Sequence, residues 1–108
     1  MLRYMLLTRL SSDQLSTGRN RRGAGEAWKQ SVETQCRGLR WIDHYAVSGE
    51  YDFVDVFEVP EESMAFRVSL ISRTHGAESA VLWRATPYRD YLEATEDIEA
   101  HDLVPETA

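Results

Sequence analysis

The chain has 108 residues, 43% of them hydrophobic and 28% charged, which is the size and make-up of one soluble globular domain. Its longest apolar runs cover only a few residues, too short to cross a bilayer, and the opening MLRYMLLTRL is too short and too interrupted by arginine for a signal peptide. The net charge of −6 is uneven: eight Lys/Arg face five Asp/Glu over residues 1–50, and four face thirteen over residues 51–108. No continuous basic surface is available for nucleic acid. The lone Cys36 excludes an internal disulfide and a cysteine-based zinc site, and it fits a reducing, cytoplasmic setting.

In chain order, Arg3–Leu10 predicts a first strand ending at the turn-like Ser11-Ser12-Asp13. A loop rich in Gly, Arg, Ser and Asn is expected through about Gly25. It contains STGRNRRGAG, with Arg19, Arg21 and Arg22 as the only dense basic patch. A helix is expected from about Glu26 to Arg37, because Trp28, Val32 and Cys36 recur at helical spacing with Leu39 just beyond. Gly38 is its natural stop.

Two further strands are predicted at Arg40–Ser48 and Asp52–Val59, joined through Gly49-Glu50-Tyr51 as a hairpin. Pro60-Glu61-Glu62 opens a second helix, with Met64, Val68, Ile71 and His75 on one face and Gly76 at its end. Phe66 and Leu70 fall on the opposite face. A last strand fits Ser79–Thr86, and Pro87 then starts a short helix carrying Tyr88, Tyr91 and Leu92. Residues 93–108 read as an acidic tail beyond a domain of residues 1–92.

This β-α-β-β-α-β order predicts an α+β, ferredoxin-like fold: a four-stranded antiparallel sheet with two helices on one face. The other face must be solvated, filled by a ligand or covered by a second subunit. If Ser48 pairs with Phe53, one hairpin face carries Ile42, His44, Ala46, Phe53, Asp55, Phe57 and Val59. The other carries Trp41, Asp43, Tyr45, Val47, Val54 and Val56. The valine-rich set is expected beneath the helices and the His44 set on the bare face, an assignment that a one-residue slip would reverse.

The segments RYMLLTRLSSDQL, YAVSGEYDFVDVFEVP and RTHGAESAVLWRATP, which span most of residues 1–90, resemble the GYD-domain family of small bacterial and archaeal proteins. Gly49, Tyr51 and Asp52 match the residues behind the family's name. The resemblance implies a ferredoxin-like fold of the dimeric α/β-barrel kind and no defined activity. His44 departs from it, since the bare face of the second strand is more hydrophobic in the family.

Several residues stand out as candidates. His44 and Asp55 are placed close enough for the carboxylate to fix the imidazole tautomer and raise its basicity, the arrangement of a general base. Phe53, Phe57 and Trp83 are candidate apolar walls of a small-molecule pocket. Arg19, Arg21 and Arg22 are candidate ligands for an anion, although the P-loop ending GK[ST] is absent. Gly49, Tyr51 and Asp52 read as hairpin-shaping residues. His75 and His101 are expected to have no catalytic role, and neither HxH nor HExxH spacing supports a metal. Cys36, Trp28 and Trp41 read as core.

The resulting expectation is a small homo-oligomer, most simply a dimer, that binds an anionic or aromatic molecule without cofactor or metal. The alternatives are a cofactor-independent enzyme using His44 and Asp55, and an interaction protein that binds no ligand.

Overall fold

Strict alternation of side chains across the first strand sets the architecture. β1 (Leu2–Leu10) turns Tyr4, Leu6 and Thr8 to one side, all buried, and Met5 and Leu7 to the other. The structure, a computed structural model, describes residues 1–13 and 21–98. β1 sits inside the sheet, antiparallel to β3 (Phe53–Val59) on one side and to β4 (Ala77–Ala85) on the other. β2 (Arg40–Ala46) completes the order β2-β3-β1-β4 as an edge strand. This is the predicted ferredoxin-like topology.

Helices α1 (Arg21–Gln35) and α2 (Glu62–Thr74) cover one face. α2 lies along β4, β1 and β3, and α1 packs on α2. The core between them is Tyr4, Leu6, Val32, Cys36, Phe57, Val59, Ala65, Val68 and Ile71. Each fully buried large side chain, such as Phe57 or Val68, removes enough apolar surface from water to favour folding by about 1.5–3 kcal/mol. Trp28 locks the two helices together: its Nε1 donates to Ser72 Oγ at 2.8 Å, and that hydroxyl donates to the Val68 carbonyl at 2.8 Å. Phe66 and Leu70 on the outer side of α2 are exposed, as the helical spacing predicts.

Three expectations are corrected. First, the helix predicted from Glu26 begins at Arg21, so Arg21 and Arg22 are exposed residues of the first turn of α1 and not of a loop. Two glycines there cost about 1 kcal/mol each relative to alanine, but Ala24, Ala27 and the arginines are strong helix formers.

Second, the hairpin register differs by two residues. His44 lies directly opposite Asp55 and Ala46 opposite Phe53, and the register shifts between Trp41 and Asp43. A bulge at Ile42 puts Trp41 and His44 on the same face, although residues three apart in a regular strand lie on opposite faces.

Third, the two hairpin faces are exchanged. Phe57 and Val59 lie in the core beneath the helices, together with buried Asp55. Val54 and Val56 line the bare face, opposite Leu7 and Met5 of β1. Alternation could not choose between them, because β3 is apolar on both sides.

α3 (Tyr88–Thr95) has Pro87 at its N-cap, so it starts one residue later than predicted, and it buries no residue. Tyr88 and Tyr91 stack on each other with ring centroids 6.0 Å apart and remain exposed. No helix among the described residues is long and apolar enough to cross a membrane. Arg19, His101 and the tail from residue 99 onward lie outside the described residues.

Candidate functional site

The edge strand β2 holds His44 where the helical layer stops covering the sheet. His44 Nδ1 and Asp55 Oδ1 are 2.7 Å apart. The two side chains differ sharply in exposure, 40% for the imidazole and 10% for the carboxylate. Asp55 is thus a buried anchor and His44 its outward-facing partner. Burial pushes the Asp55 carboxyl above its ordinary value, and the hydrogen bond and charge of His44 pull it part of the way back.

Aromatic packing orients the imidazole. The Trp41 ring lies 5.0 Å from that of His44, tilted by 49°. Trp41 is itself held on three sides: Trp28 at 5.3 Å, Phe57 at 6.1 Å in an edge contact, and Glu33, which accepts from its Nε1 at 3.0 Å. The sequence predicts plain core for Trp41. Its role beside His44 is invisible there because it depends on the Ile42 bulge.

Phe53 is two residues along β3 from Asp55 and opposite Ala46, so it shares the face of His44 as its diagonal neighbour. It is 38% exposed. Leu6 and Thr8, opposite Asp55 and Phe53 on β1, close the floor and are buried. The structure therefore brings His44, Asp55 and Phe53 together. It does not bring Phe57 and Trp83 to them as open walls. Phe57 is sealed in the core, and Trp83 lies on the bare face of the sheet opposite Met5.

That bare face carries Met5, Leu7, Val54, Val56, Val81 and the half-exposed Trp83. Arg3 and Glu58 pair at 3.0 Å at one end of it. Arg9 and Glu50 pair at 3.6 Å at the other. On its β2 margin Tyr45 donates its hydroxyl to Asp43, which lowers the Asp43 carboxyl and raises the Tyr45 phenol. A shallow cleft of about 110 Å³ opens where α3 leaves the sheet, lined by Arg3, Glu58, Arg84 and Asp90 among others. Among the described residues no group of three His, Cys, Asp or Glu side chains is placed to hold a metal.

The hairpin turn beside the site is built from the Gly-Glu-Tyr-Asp sequence. Gly49 adopts φ +138, a conformation side-chain-bearing residues rarely take. Asp52 reaches across to β1: its Oδ2 accepts the Leu10 amide at 2.8 Å, and its own amide donates to the Thr8 carbonyl at 2.8 Å. Arg9 answers by donating to the Glu50 carbonyl at 3.0 Å. A model of the GYD domain matches residues 4–95, from within β1 to the end of α3.

The chain belongs to the GYD domain family. No curated protein matches it. Among solved structures, this GYD domain is similar to MtbAldR (TM-score 0.57, 15% identity, covering 80% of this chain and 52% of that one). It is also similar to FFRP-DM1 (TM-score 0.52, 15% identity, 80% and 100% covered). A third is TTHA0845 from Thermus thermophilus (TM-score 0.52, 17% identity, 81% and 95% covered). The chain spans about half the length of MtbAldR. At these identities the likeness extends to the fold alone.

Proposed function

We propose that this GYD domain is a small-molecule-binding protein that acts as a homo-oligomer, most simply a dimer closed across the bare sheet face. The observation that carries the binding site is the His44–Asp55 pair, a buried carboxylate holding a half-exposed imidazole at 2.7 Å. The imidazole stays open to solvent while its carboxylate partner is buried. Here Nδ1 is occupied, and Nε2 has no hydrogen-bond partner among the described residues. The oligomer is supported by the apolar band of Met5, Val54, Val56, Val81 and Trp83, which a second copy would remove from water under closed two-fold symmetry.

The runner-up is an enzyme working without a bound cofactor, with His44 as general base and Asp55 as its orienting partner. It is favoured by the same free Nε2, which is the atom a base must present.

A thermal-shift screen of a metabolite library against the wild type and His44→Ala tests the binding reading. At least one compound is expected to raise the wild-type melting temperature and leave the variant's unchanged. If His44→Ala and Asp55→Ala both unfold or dissociate the protein while the wild type binds nothing, the pair is structural and the reading falls.

A further inference from the structure

We infer that the His44 site takes a neutral aromatic molecule bearing a hydroxyl group, a phenol, in preference to an anion; this rests on the binding reading above and names its ligand class. The argument begins with charge. With Asp55 ionised, the pair carries one negative charge when the imidazole is neutral and none when it is protonated. An incoming carboxylate or phosphate would need a further cation nearby. His44 is the ion-pair partner of Asp55, and no lysine or arginine pairs with that carboxylate among the described residues. Nothing there would hold a second anion.

Hydrogen-bond chemistry narrows the class further. Asp55 as a carboxylate only accepts, so Nδ1 carries the proton, and in the neutral imidazole Nε2 is then left as an acceptor. The ligand must then supply a donor. An apolar ring stands next to it: Phe53 is exposed beside His44 on the same face, and Ala46 opposite it is small enough to leave that ring accessible. Trp41 backs the other side of the imidazole. One acceptor set in an aromatic surround matches a flat ring carrying one O–H. The ring gains offset or edge contacts with Phe53, and its hydroxyl donates to Nε2.

Binding of p-cresol, p-methylanisole and p-toluate at neutral pH tests this, because the three share a ring and differ only in offering a donor, no donor or an anion. Calorimetry gives the affinities, and the imidazole NMR signals of His44, assigned with His44→Ala, give the place of binding. The expected result is that p-cresol binds about tenfold more tightly than p-methylanisole, the difference one hydrogen bond of this kind makes. His44→Ala should then abolish the difference, and Phe53→Ala should weaken both. Equal affinities for p-cresol and p-methylanisole would overturn the inference. If p-toluate binds tightest and needs His44, the site stands and the phenol class falls. If none of the three moves the His44 signals, the phenol class falls, and the library comparison above decides whether the site falls with it.

Discussion

Asp52 joins the hairpin turn to a different strand: its Oδ2 accepts the backbone amide of Leu10, 42 residues away in sequence, at 2.8 Å. The sequence alone predicts that this aspartate serves its own turn. It acts instead as a staple at the end of β1, where the last paired residues would otherwise fray. Asp52→Ala would leave the half-buried Leu10 amide without its acceptor, at a cost of about 1–3 kcal/mol. Asp52→Asn, which keeps a carbonyl oxygen, should recover much of that. Urea unfolding of both variants checks it, and an alanine variant as stable as wild type would show that water replaces the carboxylate fully.

Gly49 and Gly25 separate backbone strain from helix propensity. An added Cβ would meet nothing within 4 Å at either position. Gly49 has φ +138, so Gly49→Ala should destabilise by about 1–3 kcal/mol through strain alone. Gly25 lies in the exposed part of α1, where Gly25→Ala should stabilise by about 0.5–1 kcal/mol. Thermal melts that move in the same direction for both would contradict this account.

Much of the fold is legible in the sequence because each element obeys a short-range rule. Val68 and Ile71 fall at helical spacing and are buried; Tyr4 and Leu6 alternate along β1 and are buried. The hairpin is announced by Gly49. What stays hidden is set by long-range choices. Either face of Phe53–Val59 is apolar enough for a core, so only packing decides that Phe57 goes in and Val56 stays out. The Ile42 bulge leaves no local signature, yet it determines that Trp41, and not a residue at even spacing, lies against His44. The pairing of His44 with Asp55 was nonetheless foreseeable, because a two-residue change of register keeps both on one face.

The bare face makes the oligomer testable. Trp83→Glu places a charge on the β4 side of a band otherwise made of Met5, Val54, Val56 and Val81, without touching the helical core. A stable interface buries about 1,200–2,000 Å² in total, and a charge sealed in it without a partner is costly to desolvate. Light scattering should give a multiple of the chain mass for wild type and a single chain for Trp83→Glu, with unchanged far-UV circular dichroism. A wild-type protein that scatters as a single chain at micromolar concentration would sink the proposal.

Asp55 gives stability an unusual pH dependence. Its carboxyl is raised in the folded protein, chiefly by burial, with His44 opposing the shift. The folded protein therefore keeps this proton at a pH where the unfolded chain, with an ordinary value of about 3.9, has already lost it. Between those two values the folded state binds more protons than the unfolded state. Stability consequently falls as pH rises through that window, the reverse of a carboxylate held low by a salt bridge. Asp55→Asn does not titrate, and its amide oxygen can still accept from Nδ1. The stability of the variant relative to wild type should thus climb as pH rises from the ordinary carboxylate range, then level off above the raised value. Urea unfolding of both proteins at steps from acid to neutral pH measures the difference directly, with every other acidic group cancelling. Parallel curves would mean that Asp55 titrates alike folded and unfolded. A difference of opposite slope would mean that the hydrogen bond and charge of His44 outweigh burial.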